Sequence, residues 1–154
     1  MRYVTAVTLA ALLALPAQAG AMIQIDRGIA GARLGNSQNE VRAALGEPAL
    51  VKTGTNEFGP WRQFYFEGGI RVFFQGDDDV TSVMTLGRGD RTAKGIGIGS
   101  TEKALKQKHP NFMCESAEGL RFCHTGIGEP GERVTDFQIK RGRVVRAVVA
   151  IIID

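Results

Sequence analysis

The chain has 154 residues, 23% of them charged, with 19 Lys and Arg against 16 Asp and Glu for a formal charge of +3. That length accommodates one ordinary domain or two small ones. Both signs of charge are interspersed and no basic block tracks phosphates, which argues against a nucleic-acid partner.

The first segment reads as a leader. Arg2 precedes an uncharged apolar run over residues 3–15, and Ala17-Gln18-Ala19 supplies an A-x-A cleavage pattern in the expected order. Cleavage is expected after Ala19. The apolar run is short of the roughly 20 residues that cross a bilayer. No cysteine lies near the cut, so export without lipid attachment is expected, to a secreted or periplasmic address. The late run 144–152 is too short and too β-branched for a spanning helix.

In the mature chain a short helical turn is expected around residues 26–32. Ser37-Gln38-Asn39-Glu40 is an S-x-x-E capping box that opens a helix. Val41, Ala44 and Leu45 form its apolar stripe, and Gly46 and Pro48 stop it. Strands are predicted over 49–53, 61–66, 70–75 and 80–86, separated by turn-rich breaks. The glycine-rich Gly87-Arg88-Gly89-Asp90-Arg91 then forms a junction. A second helix follows Thr101, which can cap but has Ala104 in place of the box glutamate. It is more polar than the first, and Lys94, Lys103, Lys106 and Lys108 read as a solvated face around it. Strands are predicted again over 113–115, 120–124, 134–140 and 144–152.

The order repeats, and so does a spacing. An offset of sixty-four positions sets Leu34-Gly35-Asn36-Ser37 on Ile98-Gly99-Ser100-Thr101, Val41 on Leu105 and Gly46 on Pro110. Further on it sets Ile70 on Val134, Phe73 on Phe137, Val80 on Val144 and Met84 on Val148. The expected division is a leader over 1–19, one helix-plus-sheet unit over 20–87 and a second over 88–154. A unit of ~65 residues is marginal alone. The expected fold is therefore α+β: two tandem helix-plus-antiparallel-meander repeats sharing one continuous sheet, with helices on one face and the other face partly open.

The two cysteines, Cys114 and Cys123, flank the turn-like Ser116-Ala117-Glu118-Gly119, and export favours reading them as a disulfide. A metal site of His109, Cys114, Cys123 and His124 is the competing reading, but C-x8-C-H is no standard ligand spacing. No metal, cofactor or catalytic set is expected. Arg88-Gly89-Asp90 matches an adhesion tripeptide only in three residues that an exposed linker uses anyway. Asp77-Asp78-Asp79 reads as a hairpin turn before a cation site.

The entry Leu34-Gly35-Asn36-Ser37, the exit Leu45-Gly46-Glu47-Pro48 and the meander that follows resemble the unit of a known superfamily. It contains the secreted β-lactamase inhibitor protein and the outer-membrane-assembly lipoproteins of the SmpA/OmlA type. The resemblance covers residues 25–154. It implies a non-enzymatic protein that recognises other proteins on its sheet face, and a disulfide between early strands such as Cys114–Cys123. The first copy lacks cysteines and no anchor cysteine is present, which departs from the family pattern and argues against the lipoprotein role.

Strand alternation selects the recognition surface. Ile70, Val72, Phe74, Phe64 and Phe66 are expected to face the helices, which turns Trp61, Gln63, Tyr65, Arg71 and Phe73 outward. Trp, Tyr and Arg are the residue types that anchor protein interfaces. The function expected is that of an exported, monomeric, non-enzymatic module binding a protein partner through these five residues. The alternatives are an envelope scaffold with no dedicated site and an inhibitor of a secreted or cell-wall-directed enzyme.

Overall fold

The computed structural model describes residues 21–76 and 78–153. The expected leader and its cleavage point lie outside the described residues. The chain forms α+β structure, with two short helices and two sheets. No helix among the described residues is long and apolar enough to cross a membrane.

The N-terminal segment departs from expectation. Residues 26–32 are not helical but carry the turns between three short strands, β1 (Met22–Gln24), β2 (Gly28–Ile29) and β3 (Ala32–Arg33). Asp26, Ala30 and Gly31 all have positive φ, which no right-handed helix accepts. Helix α1 (Gln38–Leu45) begins as its sequence dictates: Ser37 accepts from the Glu40 N–H, and the Glu40 carboxylate accepts from the Ser37 N–H at 2.8 Å. Its buried residues are Gln38 and Val41, whereas Ala44 is exposed and drops out of the expected stripe.

A meander follows, with β4 (Leu50–Asn56), β5 (Gly59–Tyr65), β6 (Arg71–Gln75) and β7 (Val80–Thr85). The glycine-rich junction is partly structured: β8 (Arg91–Thr92) pairs in parallel with β1. Helix α2 (Glu102–Lys108) is capped by the Thr101 hydroxyl on the Ala104 N–H at 3.1 Å. A second meander comprises β9 (Met113–Ala117), β10 (Leu120–His124), β11 (Arg133–Lys140) and β12 (Arg143–Ile151). The large sheet runs β4-β5-β6-β7-β12-β11-β10-β9, and the small one β3-β2-β1-β8. Antiparallel pairing of β7 with β12, from Ala147 opposite Thr85 to Ala150 opposite Ser82, joins the two meanders.

One core lies between the large sheet and the layer of helices and small sheet. It runs without a break from Ile23, Val41 and Phe64 through Val72, Phe74 and Val83 to Leu105, Phe137, Ala147 and Val149. Phe64, Val72, Phe74, Leu105 and Phe137 are fully buried, each stabilising the fold by about 1.5–3 kcal/mol through burial. Two polar ties fix the N-terminal segment. Asp90, buried, accepts from the Ala21 N–H and the Thr85 hydroxyl. Asp26 accepts from the Thr125 and Thr135 hydroxyls at 2.6 and 2.8 Å. The first tie also removes the adhesion reading of Arg88-Gly89-Asp90, because its carboxylate is already occupied inside the protein.

Several features recur sixty-four positions apart. Gly35 donates to the Val80 carbonyl and Val80 to that of Asn36; Gly99 donates to Val144 and Val144 to Ser100. Gly35 and Gly99 both have left-handed φ, +82° and +91°. A bulge adds Thr81 between β6 and β7, and another adds Val145 between β11 and β12. The spacing does not hold on β6 and β11. Phe73 faces out while Phe137 is fully buried, and burial instead matches Val72 with Phe137 and Phe74 with Ile139. The connections explain the slip, since five residues (75–79) separate the last equivalent pair, Phe74 and Val80, but only four (140–143) separate Ile139 and Val144.

Candidate functional site

Strand alternation around buried Phe64, Val72 and Phe74 places Trp61, Gln63, Tyr65, Arg71 and Phe73 on the sheet face away from the helices. All five are half-buried. They are neighbours by register, with Gln63 opposite Phe73, Tyr65 opposite Arg71 and Trp61 opposite Gln75. The Trp61 and Phe73 rings stack at 5.8 Å between centroids. The Arg71 guanidinium lies over the Tyr65 ring at 5.1 Å. The Tyr65 hydroxyl donates to Gln63 Oε1 at 2.8 Å, so both side chains are held.

Two further residues build this surface. Lys52 on β4 places its ammonium 5.2 Å from the Tyr65 ring centre, so that ring is in contact with two cations. Gly54 lies under Trp61: a Cβ there would come within 2.5 Å of the indole. The missing side chain lets the ring lie down on the edge strand. Gly54 falls just past the strand predicted over 49–53, where a glycine reads as a turn residue, although inside the observed β4 it marks close approach. Lys52 lies within the predicted strand, but its facing was not legible. The result is a preorganised patch of aromatic area and positive charge, suited to apolar and acidic groups.

The same face is ionic on the second half. His124 on β10 sits opposite Asp136 on β11, and its Nε2 is 3.4 Å from Glu115 on β9. Burial raises the Asp136 carboxyl above its usual range, against the pull of His124 and Arg146. The two halves of this face therefore differ in chemistry, aromatic and cationic on the first and mixed-charge on the second.

Cys114 and Cys123 face each other on β9 and β10 and form a disulfide. Their hairpin closes through Glu118-Gly119, both with positive φ, as a two-residue turn requires. Glu102 lies beside the two sulfurs, but they are joined and hold no metal in that state. Hydrogen bonds from Arg121 and Lys106 lower the Glu102 carboxyl to about 2. The histidines of the metal reading are elsewhere. His109 meets the Thr92 hydroxyl at 3.1 Å, and His124 sits by Glu115. The four residues do not converge.

No family model and no curated protein matches the sequence. Solved structures do share the fold. The chain is similar to an extracellular protein containing a SCP domain from Bacillus anthracis str. Ames, with a TM-score of 0.53 and 10% identity over 77% of this chain and 44% of that one. It thus spans less than half of that protein's length. It is also similar to the uncharacterized protein yfeY from Escherichia coli, with a TM-score of 0.53 and 16% identity over 85% of this chain and 99% of that one. A DUF4309 family protein (YjgB) from Bacillus subtilis gives a TM-score of 0.50 at 14% identity, covering 79% of this chain and 82% of that one. At such identities the likeness concerns the fold alone.

Proposed function

We propose that this chain is an exported, non-enzymatic recognition module that grips a protein partner on the aromatic patch of its open sheet face. The observation that carries the reading is the preorganised set on β4, β5 and β6. Trp61 is stacked on Phe73 and seated over Gly54, and Tyr65 sits among Lys52, Arg71 and Gln63. Rigid aromatics lose little freedom on binding, and a cation–aromatic cluster that a partner would desolvate supplies anchor residues of the kind that dominate interfaces. The partner surface that complements it combines apolar groups with carboxylates.

The architecture we infer is a duplication of one helix-plus-meander unit, with residues 20–87 and 88–154 as the copies sharing the eight-stranded sheet. The paired hydrogen bonds at Gly35–Val80–Asn36 and Gly99–Val144–Ser100 support it, as do the bulges at Thr81 and Val145. The resemblance to the inhibitor and assembly-lipoprotein superfamily rests on the same entry and exit segments. Export is supported by the charged, apolar, A-x-A order of the first nineteen residues and by the disulfide.

A photo-reactive phenylalanine analogue tests the reading when it is placed at Phe73, and separately at Lys103 on the helix side, in the exported protein. Position 73 should give a discrete protein adduct that disappears with Trp61→Ala/Tyr65→Ala, and position 103 should not. Equal adducts from both positions, or an adduct indifferent to the double substitution, would overturn the assignment.

A further inference from the structure

A second surface lies at the junction of the two halves. Where β7 ends and the β11–β12 hairpin turns, a cleft of about 840 Å³ is lined by Arg88, Arg91, Lys140, Arg141 and Arg143. Among the described residues no carboxylate lies within salt-bridge distance of any of these five cations. The nearest acid in sequence, Asp90, is buried and engaged by Ala21 and Thr85. Five like charges around one hollow repel each other, and no carboxylate among the described residues pairs with them.

Two of the cations are also held in place. Arg91 Nη1 donates to the carbonyls of Asp90 and Ile98, both at 2.9 Å, and Arg143 Nη1 donates to that of Gly99 at 2.9 Å. Those contacts fix the two guanidinium groups at the cleft. The hairpin turn Arg141-Gly142, both residues at positive φ, carries Lys140, Arg141 and Arg143 together at its tip. The corresponding hairpin of the first half is acidic instead, and its Asp78 carboxylate meets Arg62 at 3.6 Å and the Gln38 amide. The structural position is the same but the charge is inverted, and among the described residues the ion pair is found on the acidic version. Leu86, 41% exposed, and Val145 add apolar surface to the cationic cleft.

We propose that this cleft binds a phosphate group carried on an apolar stem, as in the headgroup region of an acidic phospholipid. Several guanidinium groups in one hollow suit a multiply accepting phosphate, to which arginine donates in bidentate pairs, better than they suit one carboxylate. The site is separate from the aromatic patch and does not depend on it.

The test is co-sedimentation of the exported, processed chain with vesicles of phosphatidylglycerol in phosphatidylcholine, against vesicles of phosphatidylcholine alone. Binding should require the acidic lipid, and should fall at least tenfold in Arg88→Gln/Lys140→Gln/Arg141→Asn. Those three side chains make no hydrogen bond or ion pair among the described residues, so the variant should fold. A control, Arg33→Gln/Lys103→Gln/Lys108→Gln, loses the same charge elsewhere and should bind as the parent does. Equal loss in the control means diffuse charge attraction and overturns the site, as does undiminished binding by the cleft variant. Calorimetry with inorganic phosphate separates the sources. Binding of free phosphate as strong as that of a short-chain soluble phosphatidic acid would overturn the requirement for an apolar stem.

Discussion

At the scale of single residues, two side chains carry consequences that differ in kind. Gly54 has ordinary strand backbone, so replacing it costs nothing in φ, and alanine is a slightly better strand residue. Yet a Cβ there meets the Trp61 ring at 2.5 Å, and the indole has to move. Gly54→Ala should therefore change stability by less than about 1 kcal/mol while shifting the fluorescence of Trp61, the chain's single tryptophan. It should also weaken the Phe73 adduct. Loss of stability without a spectral shift would show that Trp61 is not seated on Gly54. Glu102 acts on the fold instead. Its carboxyl lies at about 2 against an ordinary 4.5, chiefly through its hydrogen bond with Arg121 and then that with Lys106. A carboxyl depressed in the folded state contributes stability that is present above the unfolded value and is lost as pH falls toward the folded one. Acid titration of stability between about pH 4.5 and 2 should be shallower in Glu102→Gln than in the parent, with the two converging at the acid end. Parallel curves across that window would remove the Arg121–Glu102 pair as a source of acid sensitivity.

At the scale of elements, what the sequence disclosed follows how local each element's cause is. The α1 start was legible because Ser37 and Glu40 satisfy each other within one turn. The outward set on β5 and β6 was legible because alternation of Phe64 with Gln63 and Tyr65, and of Val72 and Phe74 with Phe73, is a property of consecutive residues. The Cys114–Cys123 pairing needed only a short hairpin. The small sheet was not legible. Its β1–β8 pairing joins Met22 to Arg91 and Ile23 to Thr92 across most of the first half, and no local pattern encodes such a partner. Residues 26–32 misled because the positive φ falls at Asp26 and Ala30, two non-glycine residues whose type does not announce it. The register of β11 misled because a constant offset assumes equal connections, and the two hairpins differ in length. Of the candidate patch, the five outward residues were readable in advance. Lys52 and the seat at Gly54 depend on pairing of β4 with β5, which only the assembled sheet reveals.

At the scale of the whole molecule, the proposed division at 87/88 does not separate two independent bodies. β1 belongs by sequence to the first half and pairs with β8 of the second. Asp26 of the first half is bound by Thr125 and Thr135 of the second. β7 and β12 are central strands of one sheet only because each covers the other's edge. Cutting the chain there would expose two long edges and open the core that runs from Ile23 to Val149. A fragment of some 65 residues has too little buried surface to offset that loss. Segments 20–87 and 88–154 expressed separately should give poorly dispersed amide spectra. The whole mature chain should unfold in one cooperative step. Trp61 makes the second expectation measurable, because its fluorescence reports the first half alone while far-ultraviolet circular dichroism reports both. The two signals should trace coincident denaturant curves. A fluorescence transition displaced from the dichroism transition would mean that the halves unfold separately, and the shared sheet would then be a contact between two domains rather than the framework of one.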